Sequence, residues 1–154
     1  VKTIRVVTDI AAPVETVWAE LSAVSEYAAW NPFITTFRGE LVEGSRAEVR
    51  IAPPGGRPMT FRPTIIAVEP GKRLEWLGRL IMPGIFDGRH SFQLEALTDG
   101  TTRLTQAEEF SGFLVPLTGT MLERTRAGFE AMNEALRVRA EAATVGRAAA
   151  GSQG

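Results

Sequence analysis

Residues 85–97, Ile85-Phe86-Asp87-Gly88-Arg89-His90-Ser91-Phe92-Gln93-Leu94-Glu95-Ala96-Leu97, decide how the chain folds. The even positions from Phe86 to Ala96 are apolar apart from His90, whereas the odd positions from Asp87 to Glu95 are all polar. Side chains alternate along a strand, so this stretch predicts a β-strand with a wet and a dry face, and it puts His90 on the dry face with Phe86 and Phe92. His90 is the only histidine in the sequence. Asp99-Gly100 then supplies a turn, and residues 102–111 repeat the pattern, with Leu104, Gln106, Glu108 and Phe110 against Arg103, Thr105, Ala107 and Glu109. A hairpin of these two strands brings Glu108 within reach of His90, and the two then satisfy one another either as a buried structural pair or as the polar end of a cavity.

Upstream, Gly39, Glu43-Gly44, Pro53-Pro54-Gly55-Gly56, Pro70-Gly71 and Pro83-Gly84 cut the chain into pieces of hairpin length. Strands are predicted over 33–42, 46–52, 59–69, 73–80, 85–97 and 102–111, and the alternating residues 2–9 bring the total to about seven. Connections this short make the sheet mostly antiparallel, with a meander as the simplest topology. Within 73–80, Leu74, Trp76 and Gly78 are assigned inward, because the reverse would bury Glu75 and Arg79. After the first strand, Pro13 fits the first turn of a helix carrying Val14, Val17, Trp18 and Leu21, and Ser25-Glu26-Tyr27 begins a further turn that Pro32 ends. Beyond Pro116 the punctuation stops. Residues 117–142 predict one long helix, about 40 Å at 1.5 Å per residue, with Leu122, Phe129, Met132, Leu136 and Ala140 on its apolar stripe. From Thr144 the residues are small and polar and read as a frayed or disordered tail, so the domain is expected over 1–143 with 144–154 outside it.

The composition narrows the function. A chain of 154 residues, 44% hydrophobic, forms one domain able to bury roughly 70% of its unfolded surface. Without cysteine there is no disulfide, thiolate nucleophile or iron–sulfur site, and one histidine cannot build a two-histidine metal site. No cofactor and no metal are expected. A net charge of −1 with no clustered basic face argues against nucleic acid, and no apolar run approaches the roughly 20 residues of a membrane span. Val1–Val6 interleaves polar and apolar residues unlike a signal peptide, so a cytoplasmic location is the expectation. No nucleophile elbow, Walker loop or Rossmann glycine pattern occurs.

Several segments resemble the START-like (SRPBCC) superfamily, and within it the polyketide cyclase/dehydrase group. They are Ala12-Pro13-Val14-Glu15-Thr16-Val17-Trp18, Tyr27-Ala28-Ala29-Trp30-Asn31-Pro32-Phe33-Ile34, and Val68-Glu69-Pro70-Gly71-Lys72-Arg73-Leu74-Glu75-Trp76. Phe86–Leu94, Glu108-Glu109-Phe110-Ser111-Gly112 and Gly128–Leu136 complete the series. The resemblance implies an α+β helix-grip fold, a curved seven-stranded antiparallel sheet around the C-terminal helix, with two short helices closing one end and an apolar cavity between. On the sheet side the candidate pocket residues are Phe37, Phe61, Trp76, His90, Phe92, Glu108 and Phe110. On the helical side they are Trp30, Met121, Thr125, Phe129 and Met132, although core packing explains any one of these aromatic and methionine side chains taken singly. Ser111–Pro116 reads equally as a lid or as a staple at the start of the helix. The favoured function is binding of a small hydrophobic molecule such as a lipid, polyketide or aromatic metabolite. One alternative is a polyketide cyclase/dehydrase with His90 and Glu108 as acid and base; another is a regulator of a protein partner. The sequence is compatible with a homodimer.

Overall fold

The computed structural model describes residues 1–80, 84, 86–112 and 114–151. Pro83 of the expected Pro83-Gly84 turn, Ile85, Phe113 and Ser152–Gly154 lie outside the described residues. Strand β1 (Lys2–Ile10) is followed by helix α1 (Val14–Ser22), a 3₁₀ turn at Val24–Glu26 and helix α2 (Tyr27–Trp30). Strands β2 (Ile34–Arg38), β3 (Glu48–Ile51), β4 (Met59–Phe61), β5 (Thr64–Glu69), β6 (Arg73–Leu80), β7 (Phe86–Ala96) and β8 (Thr102–Ser111) precede helix α3 (Gly119–Gly151). All pairings between these strands are antiparallel. The architecture is an α+β helix grip.

The strands form a five-stranded sheet of order β1-β8-β7-β6-β5 and a three-stranded sheet β2-β3-β4, rather than one sheet of seven. The predicted 59–69 strand divides at Arg62-Pro63, because proline has no N–H for a ladder. Residues 44–47 hold the two sheets together: Ile65 N–H donates to Ser45 O at 2.8 Å and Ala47 N–H to Pro63 O at 3.0 Å. The larger sheet departs from a simple meander by carrying β1 at its edge beside the last strand, β8.

Alternation on β6 runs as expected, with Leu74 and Trp76 buried, yet Glu75 on the opposite face is also buried, at 4% exposure. Arg73 and Arg89 meet its two carboxylate oxygens at 3.2 and 3.1 Å, and their long side chains cover it. Sequence alternation alone treats such a glutamate as exposed; two flanking arginines make its burial tolerable.

Helix α3 buries Leu122, Thr125, Phe129, Met132, Asn133, Leu136 and Ala140 against the sheet. Gly128 is required where it packs, since a Cβ there would collide with the ring of Phe33. The helix does not end near 142 but continues to Gly151, a correction to the expected tail. Alanines 148–150 favour helix, and Arg147 Nη1 reaches Thr16 Oγ1 on α1 at 3.3 Å. Glu20 on α1 pairs with Arg139 on α3 at 2.6 Å, so the short helix is fastened to the distal half of the long one. Val115 is buried in the core and anchors the start of α3, although Phe113 of the same loop lies outside the described residues. Among the described residues, no helix is long and apolar enough to cross a membrane.

Tyr27, the only tyrosine, is fully buried and donates its hydroxyl to Leu21 O at 2.5 Å. Burial pushes this phenol well above its ordinary value near 10. The folded state therefore keeps the proton that the unfolded chain releases, so the contribution to stability is full below about pH 10 and is lost as pH rises beyond it. In an alkaline titration, tyrosinate absorbance is expected to appear only as the fold is lost, and Tyr27→Phe is expected to flatten the alkaline decline in stability. Tyrosinate forming in a protein with native circular dichroism contradicts this.

Candidate functional site

The two long strands β7 and β8 set the site. Their register pairs His90 directly with Glu108 and Gly88 with Phe110, while β6 places Trp76 opposite His90 and Gly78 opposite Gly88. His90 is 4% exposed, with its ring centroid 4.9 Å from Trp76, 4.8 Å from Phe92 and 4.8 Å from Phe129. This aromatic box fixes the imidazole plane. His90 Nδ1 faces Glu108 Oε2 at 3.5 Å, longer than a good hydrogen bond, and Nε2 lies 2.9 Å from Gln106 Oε1.

Gln106, wholly buried, passes the polar row on to the helix. Its Nε2 donates to Asn133 Oδ1 at 2.7 Å and lies 3.5 Å from the carbonyl of Phe129. Asn133 Nδ2 in turn donates to Val6 O at 3.3 Å and to Thr8 Oγ1 at 3.1 Å on β1. A buried polar group without a partner costs on the order of 1–3 kcal/mol, and this chain leaves none of its members unmatched.

A cavity opens beside the pair, between the β3–β4 hairpin, the ends of β6–β8 and the first turns of α3. Its wall includes Phe33, Ile51, Pro53, Met59 and Phe86 together with Phe61, Phe110, Met121, Thr125, His90 and Glu108. Its floor is bare backbone, because Gly78 and Gly88 carry no side chain there. A Cβ on Gly88 would stand 2.5 Å from Glu108 Oε1, and one on Gly78 would stand 3.2 Å from the Phe61 ring. The carboxylate of Glu108 is 16% exposed and sits in a lining whose other side chains, apart from His90 and Thr125, are apolar.

The enclosed volume is about 60 Å³, and the empty space reaches about 590 Å³ when the open mouth is included. The 60 Å³ is less than half of the roughly 150 Å³ of an apolar cavity that admits benzene.

The expected pocket residues thus divide. Phe61, His90, Glu108, Phe110, Met121 and Thr125 line the cavity. Phe37, Trp76, Phe92, Phe129 and Met132 are packed in the core behind it, so the void does not run along the helix axis. Trp30 faces a separate outer groove between α1, α2 and α3, with the Arg139 guanidinium 5.9 Å from its ring. Phe33, Ile51, Pro53, Met59, Phe86 and the two floor glycines were not among the expected pocket residues. The paired mid-strand glycines at inward positions were the available signal for the floor.

No curated protein matches the chain. Solved structures do. Protein MLL2253 from Mesorhizobium loti is 22% identical with a TM-score of 0.70, over 90% of this chain and 96% of that one. A START superfamily protein from Mycobacterium smegmatis is 20% identical with a TM-score of 0.70, over 92% and 99%. DynU16, a protein of the dynemicin biosynthetic locus, is 21% identical with a TM-score of 0.68, over 92% of this chain and 48% of that one. These likenesses establish the START-like fold. Residues 2–141 match the family described as polyketide cyclase/dehydrase and lipid transport, and the chain belongs to that family.

Proposed function

We propose that the protein binds a small, largely apolar molecule in the cavity at the first turns of α3, with Glu108 and His90 at its polar end. The observation that carries this reading is one carboxylate–imidazole pair set into an apolar wall above a floor of two facing glycines. Apolar lining supplies affinity and a few convergent polar groups supply orientation, which is the general composition of a small-molecule site. The family description, with its cyclases and lipid carriers, supports the same reading.

A guest larger than a few atoms has to widen the closed volume. The compliant parts of the wall are Met59, Met121 and Phe61, all only partly buried and two of them unbranched thioethers that change rotamer readily. The buried aromatic box around His90 is the unyielding part. Entry is therefore between the β3–β4 hairpin and the start of α3.

The placement of Glu108 and His90 also favours a second reading, aldol-type cyclisation of a bound polyketone. Such a reaction needs an acceptor within hydrogen-bond reach of the proton it removes, which Glu108 offers beside His90, and an acid for the departing water, which the pair becomes once it holds that proton. In that case wild-type protein converts a linear polyketone to a cyclic product one water lighter, and His90→Ala abolishes the conversion. Absence of product from the wild type leaves the binding reading alone.

Binding is tested with 2-naphthol, followed by its own fluorescence. Saturable binding is expected, and Met121→Trp, which fills the mouth, is expected to weaken it at least about tenfold, on the order of 1.4 kcal/mol, with an unchanged circular dichroism spectrum. Failure of 2-naphthol to saturate, or indifference to Met121→Trp, counts against the cavity as a binding site. Gly88→Ala is expected to displace the Glu108 carboxylate, because the new methyl meets its mobile end; affinity then falls several-fold, on the order of one lost hydrogen bond, with the melting temperature nearly unchanged. A large fall in melting temperature would show that the glycine serves packing instead.

A further inference from the structure

We infer that Gln106 and Asn133 are positioning residues that hold His90 as its Nε2–H tautomer, so that the polar end of the cavity only accepts hydrogen bonds and selects guests bearing a hydroxyl. The selectivity half rests on the binding reading above; the tautomer half does not.

The orientation of every group follows from a backbone carbonyl that can only accept. Val6 O takes a hydrogen from Asn133 Nδ2 at 3.3 Å, which turns Asn133 Oδ1 toward Gln106. Gln106 must then present Nε2 to it, at 2.7 Å, and the same nitrogen lies beside the carbonyl of Phe129. Gln106 Oε1 is left facing His90 Nε2 at 2.9 Å, and an amide oxygen accepts, so Nε2 carries the hydrogen. Reversing both amides would let Thr8 Oγ1 donate to Asn133 Oδ1, but it would set that oxygen against Val6 O and Gln106 Oε1 against Phe129 O, two acceptor–acceptor encounters in a buried site. Neither Gln106 nor Asn133 lines the cavity. Both act through the imidazole.

With its Nε2 hydrogen committed, His90 turns Nδ1 toward Glu108 Oε2. At 3.5 Å this contact is too long for a good hydrogen bond and does not set the tautomer, and Glu108 Oε1 accepts over the glycine floor. The remaining polar side chain in the lining, Thr125, donates its hydroxyl hydrogen to Met121 O at 2.9 Å and so shows the cavity only lone pairs. Among the described lining residues no side chain offers a free donor. A phenol-like guest satisfies this end, whereas a guest whose only polar group is a carbonyl or ether leaves Glu108 facing another acceptor.

The single histidine allows an unambiguous test by ¹⁵N NMR of histidine-labelled protein. In the wild type, the neutral ring is expected to carry its hydrogen on Nε2 alone. Asn133→Leu frees Gln106 to turn and is expected to give a mixture with the Nδ1–H form. Asn133→Asp offers Gln106 only acceptors, and so retains the wild-type tautomer. Should Asn133→Leu fail to fold, Gln106→Met is expected to give the same mixture. An Nδ1–H ring in the wild type, or an unmixed Nε2–H ring in both Asn133→Leu and Gln106→Met, overturns the positioning role. In parallel, phenol is expected to bind at least about tenfold more tightly than toluene, which has nearly the same shape. Equal affinities overturn the selectivity while leaving the cavity as a binding site. If neither binds, the selectivity falls together with the binding reading, and the NMR result still decides the tautomer.

Discussion

One buried amide ties the whole protein together. Gln106 sits on β8 with no exposure, meets His90 of β7 on one side and Asn133 of α3 on the other, and through Asn133 reaches Val6 and Thr8 of β1. Apolar packing between a helix and a sheet is non-directional, and it tolerates small translations at little cost. A chain of amide hydrogen bonds does not. Sliding α3 along its axis by even part of a turn would strand Asn133 and Gln106 without partners in an apolar interior, at a cost of several hydrogen bonds. The polar row thus fixes where the helix lies on the sheet, and with it where Met121 and Thr125 stand relative to Glu108.

Much of this was legible in the sequence for a simple reason. Alternation over 86–96 is nearly strict, 102–111 follows it with Gln106 and Glu108 among the inward residues, the turn between them is short, and the register of a hairpin follows, so His90 and Glu108 fall opposite one another as a matter of chain geometry. The long helix was equally plain from its apolar stripe. What was not legible depends on groups distant in sequence. Glu75 is buried because Arg73 and Arg89 happen to lie over it, and alternation carries no record of that. The end of α3 was misplaced because small residues after Thr144 suit a tail as well as a helix, and Arg147 reaching Thr16 was invisible. Gln106 was seen to face inward, but its partner Asn133 lies inside the helix's apolar stripe, where one polar residue reads as noise.

The cavity was the hardest feature to foresee, since a void is set by missing atoms. Phe92, Trp76 and Phe129 were reasonable pocket residues, yet they close upon the imidazole and fill the centre of the sheet–helix interface. Space remains toward the far ends of β6 and β7, where Gly78 and Gly88 face one another and neither can fill it. Phe33 forms the wall on the helix side, and it fits there because Gly128 leaves room for its ring. Three glycines, none of them in a turn, therefore shape the site: two by leaving the floor empty and one by admitting the wall.

The two ends of this cavity differ in mechanical character, and that difference bears on both functional readings. The polar end is built into the core, with the imidazole boxed by aromatic rings and its partners anchored to backbone. The mouth is made of partly buried methionine and phenylalanine side chains on a short hairpin and on the first turns of a helix. A guest that enlarges the closed volume spends part of its burial energy on moving the mouth, and none on arranging the acceptors. A carrier gains from this because one fixed polar contact orients guests of different bulk. A cyclase gains as well, because a base already held in position has less to reorganise when the proton moves. The two readings thus require the same architecture, and they part only over whether the guest brings a reactive carbon to Glu108 and His90 or merely a hydroxyl.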